Sequence, residues 1–85
     1  MPVISRFLGI SIAMYWRDHG PPHFHAKYSG HEIRVDILTG EVHGEFPKRA
    51  LRHVLEWHGM HKKELIENWQ LCQKNEALKL IEPLE

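Results

Sequence analysis

HFHAKYSGHEIRVDI, residues 23–37, decides the fold. Phe24, Ala26 and Tyr28 alternate with His23, His25 and Lys27. After Ser29 and Gly30 the alternation resumes, with Ile33, Val35 and Ile37 set against Glu32, Arg34 and Asp36. A period of two marks half-buried strands, and a Ser-Gly step between them marks a two-residue hairpin turn. That turn sets the register. Tyr28 faces His31, Lys27 faces Glu32, His25 faces Arg34 and His23 faces Asp36. The apolar positions then match as well, Ala26 with Ile33 and Phe24 with Val35. A slip of one residue would send every side chain to the wrong face.

The same reading extends outward. Upstream, Ile10, Ile12, Met14 and Trp16 alternate on the inner side, which puts Tyr15 and Arg17 beside the histidines. Asp18, His19, Gly20, Pro21 and Pro22 form a rigid connecting loop, a plausible recognition edge. Downstream, Thr39-Gly40 reads as a second two-residue turn, followed by a strand with Val42 and Phe46 inward. In that register Ile37 faces Val42, Leu38 faces Glu41, Asp36 faces His43 and Arg34 faces Glu45. Pro47 suits a first helical position. From Lys48 to about Lys74 the apolar residues Leu51, Val54, Leu55, Leu65, Ile66, Trp69 and Cys72 take helical spacing. Gly59 marks the place where this helix would kink or divide. The tail, residues 76–85, is apolar enough to dock on the body or to serve as a handle for a partner. The expectation is an α+β fold spanning residues 1–85 as a single domain. A four-stranded antiparallel meander sheet carries a long C-terminal helix on one face.

Composition narrows the function classes. The chain has 85 residues, eleven basic and eleven acidic side chains, and a formal net charge of zero. A global field that would draw in DNA is absent, so no DNA ligand is expected, while a local patch leaves RNA open. Lys48, Arg49 and Arg52 make one such patch, or a solvated face. One cysteine, Cys72, forbids an internal disulfide framework. No apolar run has the roughly 18 residues of a membrane span. The first residues lack the pattern of a signal peptide. A cytoplasmic location with no membrane association is the expectation.

Eight histidines are the compositional oddity. Two rows cross the outer sheet face in the register above, His23–Asp36–His43 and His25–Arg34–Glu45. Opposite Cβ atoms in such rows lie roughly 5 Å apart. Two imidazoles near neutrality and a guanidinium are the parts of a phosphodiester-cleaving site, with His23, His25 and Arg34 as catalytic candidates. The plainer reading is a solvated face of alternating charges. A divalent metal is an alternative to no metal at all, with His23, His25, Asp36 and His43 as its ligands. On the helix, His58 or His61 reads as a hydrogen-bonded junction residue. The functional alternative puts His61 and Glu64 in a pocket with Trp57. No cofactor is expected.

Met14-Tyr15, the run from Asp18-His19 through Pro21-Pro22-His23-Phe24-His25, Asp36 with Thr39-Gly40, Leu55-Glu56-Trp57, His61 with Glu64-Leu65, Asn68-Trp69 and Ile81-Glu82-Pro83-Leu84 carry a resemblance. The chain resembles the small bacterial family catalogued as domain of unknown function 4160, over nearly its whole length. The resemblance implies no established activity. It implies a neighbouring gene for another small family, domain of unknown function 2442, in an arrangement like a toxin–antitoxin pair. It draws attention to Asp18, His19, His23, His25, Trp57 and His61, and away from His43. The candidate binding residues are therefore Asp18, His19, Tyr15, Asp36, Trp57 and His61. The leading expectation is a binding module acting with a small partner protein encoded nearby. A metal-independent ribonuclease and a metal-binding domain are the alternatives.

Overall fold

A computed structural model describes residues 2–85. Five antiparallel strands run in sequence order: β1 (Val3–Phe7), β2 (Ile10–Ala13), β3 (His23–Tyr28), β4 (His31–Asp36) and β5 (Val42–His43). A single long helix, α1 (Lys48–Gln73), follows. The class, the meander and the C-terminal helix are as the alternation and the helical spacing predict. The sheet has one strand more than expected. β1 pairs with β2 through a bulge between Val3 and Ser5, which breaks the alternation that would have announced it. Its turn is Leu8-Gly9, both left-handed (φ 51° and 80°), where leucine gives no turn signal.

The β3–β4 hairpin has the predicted register in full, from Tyr28↔His31 to His23↔Asp36. Ser29 and Gly30 are both left-handed (φ 47° and 85°), as a type I′ turn requires. The β4–β5 register differs. Arg34 lies opposite His43 and Val35 opposite Val42, so Asp36 does not face His43 and Arg34 does not face Glu45. The turn takes four residues, 37–40, instead of two. Gly40 donates its N–H to Asp36 O, and Asp36 donates its own to Glu41 O. The shift is two residues, so every side chain keeps its face.

Helix α1 packs Val54, Trp57, Leu65 and Cys72 into the core with Ile4, Ile12, Met14, Phe24, Ile33 and Val35. The Trp57 ring lies 5.4 Å from Phe7 and 5.6 Å from Phe24. His58 donates from Nε2 to Ile37 O at 2.7 Å, fastening the helix to the 37–40 turn. Gly59 stays helical. The break falls two residues later, at His61 (φ −124°, ψ 22°), whose ring packs on Trp57 and bonds Glu64.

The tail docks on its own chain. Ile81 donates its N–H to Ile4 O, covering the β1 edge, and Trp57 Nε1 donates to Glu82 O. The buried Asn68 amide grips Lys79 like a peptide group, donating to its O and accepting from its N–H. Ile81 and Leu84 are buried. The tail is thus part of the core. Truncating Ile81→Ala should cost about 2–4 kcal/mol in urea unfolding. A loss under about 0.5 kcal/mol, the range of ordinary surface changes, would contradict this placement.

Candidate functional site

Three elements meet at the N-terminal end of β3. The strand supplies His23 and His25 two residues apart. The loop before it, residues 14–22, supplies Asp18. The C-terminal end of α1 holds that loop in place. Arg17 N–H donates to Cys72 O, and Gln73 Nε2 donates to Asp18 O. Arg17 is left-handed (φ 59°), a conformation that costs a non-glycine residue and persists because the strap over-determines it. Trp16 turns outward after β2 ends and bonds Glu76 O, leaving its ring 44% exposed.

Asp18 is the hub. Its Oδ1 accepts from the His19 backbone N–H at 2.9 Å. Its Oδ2 lies 2.8 Å from His23 Nε2 and 3.4 Å from His25 Nε2. Burial pushes the Asp18 carboxyl up, but the bonds to His23, the His19 backbone and His25 outweigh it. The pKa falls below the ordinary aspartate range.

His23 does not project into solvent as its strand parity suggested. Its ring is only 3% exposed, covered by the Asp18 loop and by Trp69 of α1, with ring centroids 5.0 Å apart. The reason is the strap: parity turns the ring away from Phe24, and the loop and the helix end then close over it. Pro21 O, an acceptor only, lies 2.8 Å from Nδ1, so Nδ1 carries a hydrogen. Nε2 then faces a second acceptor, Asp18 Oδ2. The ring is held between these two oxygens.

His25 remains reachable, at 18% exposure. Tyr15 meets its ring edge-on at 4.6 Å, and Glu32 Oε2 lies 3.3 Å from its Nδ1. Arg34, its cross-strand partner, reaches toward Asp36 with Nε at 3.8 Å from Oδ1, beyond hydrogen-bond length. A second cluster forms farther across the sheet. His43 Nε2 lies 3.2 Å from Asp36 Oδ2 and 3.5 Å from Glu41 Oε1. Asp36 and His43 therefore meet diagonally although they are not opposite each other. The four alternative metal ligands divide between these clusters: His23 and His25 gather on Asp18, and His43 gathers on Asp36 and Glu41.

The other candidates lie elsewhere. His19 contributes its backbone, its side chain being exposed. Trp57 is fully buried, and His61 is mostly buried against it on α1. His61 Nδ1 bonds Glu64 at 2.6 Å while Nε2 is buried without a partner. Neither residue is part of the histidine face. Glu32, Trp69, Gln73 and the Pro21 carbonyl are not among the site residues expected from the sequence. Asp18 entered the candidates through the rigid loop and the family resemblance, five and seven residues before the two histidines. Trp69 and Gln73 carry no sequence signal for this place, since only the tertiary fold brings the helix end here.

A family model described as a domain of unknown function (DUF4160) matches residues 9–70. No curated protein and no solved structure matches the chain. The matched span covers β2 through most of α1, including the whole Asp18–His23–His25 cluster.

A depressed aspartate pKa contributes stability that is present above the unfolded value and lost as pH falls through the folded one. Asp18→Asn should lower unfolding free energy by about 1–2 kcal/mol near neutrality. The gap between the two proteins should persist down to about pH 4 and close only below it, in urea titrations from pH 7 to pH 2.5. A gap that is constant through pH 2.5 would contradict the role given to the ionised carboxylate.

Proposed function

This chain belongs to the family described as domain of unknown function 4160, and from that premise we propose that it is a binding module whose histidine-rich sheet face docks a small protein partner. One observation carries the reading. The face carries groups of both signs, Lys27 beside Glu32 and His43 beside Asp36 with the basic pair His25 and Arg34 between them, and exposed large apolar residues stand at its loop end. Trp16 and Leu38 are those residues, 44% and 54% exposed. Their loops adjoin, since Ile37 N–H donates to Pro22 O. Charges of both signs give register and specificity in a protein complex. An exposed tryptophan is a favoured anchor. Net charge of zero fits a protein partner better than a nucleic acid.

The gene arrangement implied by the family resemblance supplies the partner to test, the product of the adjacent gene, as in a toxin–antitoxin pair. Co-expression followed by size-exclusion chromatography with light scattering should return a complex. Arg34→Glu should weaken it at least tenfold. Elution of both proteins as separate species at micromolar concentration would overturn the proposal.

A metal-independent ribonuclease is the second reading, favoured by Tyr15, His25 and Arg34 lying together within reach of solvent. The enclosure of His23 leaves His25 and Arg34 as the groups able to meet a phosphate, with His23 in support. Cleavage of mixed RNA by the pure protein, lost at least a hundredfold in His25→Ala, is the outcome this reading requires. Equal cleavage by both proteins would identify a contaminant and end it.

A further inference from the structure

We propose that Asp18, His23 and His25 form a three-ligand site for one divalent transition-metal cation of zinc's class. The three ligand atoms, Asp18 Oδ2, His23 Nε2 and His25 Nε2, all lie within 4.8 Å of one another. Around a tetrahedral zinc with bonds of about 2.0–2.1 Å, neighbouring ligand atoms stand about 3.3 Å apart. The two separations from Oδ2, 2.8 Å and 3.4 Å, are close to that spacing, and the two Nε2 atoms lie within 4.8 Å of each other.

The outer nitrogens argue for the same site. A histidine that binds metal through one nitrogen usually donates its other N–H to a carbonyl or carboxylate, which fixes the tautomer and aims the ring. His23 Nδ1 faces Pro21 O at 2.8 Å. His25 Nδ1 faces Glu32 Oε2 at 3.3 Å. Both rings therefore have an oxygen acceptor behind them and the same Asp18 oxygen in front. The two rings stand with centroids 5.2 Å apart, and His23 is almost fully buried. One divalent cation placed among the three atoms would meet both Nε2 atoms and the Asp18 oxygen at once. Its two charges are balanced by Asp18 and Glu32.

The donor set selects the class of cation. Two imidazoles and one carboxylate suit zinc and its neighbours in the transition series, whereas calcium and magnesium prefer oxygen. Cys72, fully buried, is not part of this cluster. Three protein ligands leave a fourth position, on the side where Asp18 and His25 are part-exposed, for water or a ligand atom of a bound molecule. The second cluster, Asp36–Glu41–His43, offers only one imidazole, 40% exposed, and serves as an internal control. The site stands independently of partner binding.

The test uses tag-free, chelator-stripped protein titrated with zinc chloride by calorimetry, with the imidazole nitrogens followed by long-range nitrogen NMR. One equivalent of zinc should bind. The Nε2 resonances of His23 and His25 should move to the metal-bound position while both Nδ1 atoms keep their hydrogens. His25→Ala should weaken binding at least a hundredfold and Asp18→Asn at least tenfold. His43→Ala should change it by less than twofold. Circular dichroism of His25→Ala, whose ring is part-exposed, verifies that the variant folds, and Asp18→Asn decides the matter if it does not. Absence of binding, or binding that survives both substitutions, would overturn the proposal. So would binding that depends on His43.

Discussion

Everything at the site depends on the two-residue left-handed turn at Ser29-Gly30. It closes the β3–β4 hairpin in one register, and the period of two then assigns every side chain to a face. Phe24, Ala26, Ile33 and Val35 go into the core against α1, and they contribute most of the hairpin's stability through burial. His23, His25, Arg34 and Asp36 are turned the other way by the same constraint. A chain of 85 residues can bury little more than one face of one sheet, so the polar face is what the fold leaves to function.

The second constraint is the strap between the ends of the chain. α1 must run the length of the sheet for its last turn to reach the loop at residues 16–19, where Cys72 O and the Gln73 amide hold it. The tail then returns along the helix, pinned by Asn68, and covers the edge of β1. These contacts link residues about 55 positions apart, and they decide how far Asp18 can move from His23. A loop so held is pre-organised: its hydrogen-bond acceptors already face the two rings. His23 is the part-exposed ring that this closure has converted into an enclosed one.

Sequence and structure agree where the physics is local. The hairpin from His23 to Asp36 was legible because alternation and a turn residue spoke together. The helix was legible from its apolar stripe. β1 was not, because its bulge puts Ile4 and Ser5 both inside and its turn has leucine at a left-handed position. The β4–β5 register was off by two, since Thr39-Gly40 is compatible with a two-residue or a four-residue turn. Gly59 looked like the weak point of the helix, yet the break lies at His61, where tertiary contacts to Trp57 and Glu64 compete with helical geometry. The candidate residues Asp18, His23 and His25 could be named from the motif, but their convergence could not. It requires the helix end, Trp69 and the Pro21 carbonyl, which no spacing rule brings to β3.

The central claim is that His23 is enclosed beneath Asp18 while His25 and Arg34 on the same face remain reachable. Deuterium exchange at the imidazole C2 position, read by mass spectrometry for all eight histidines in one experiment, measures this enclosure directly. His23 should exchange as slowly as the core residue His58 and at least tenfold more slowly than the exposed His31. Exchange of His23 at the rate of His31 would mean that the loop does not cover it, and the site as described would not exist.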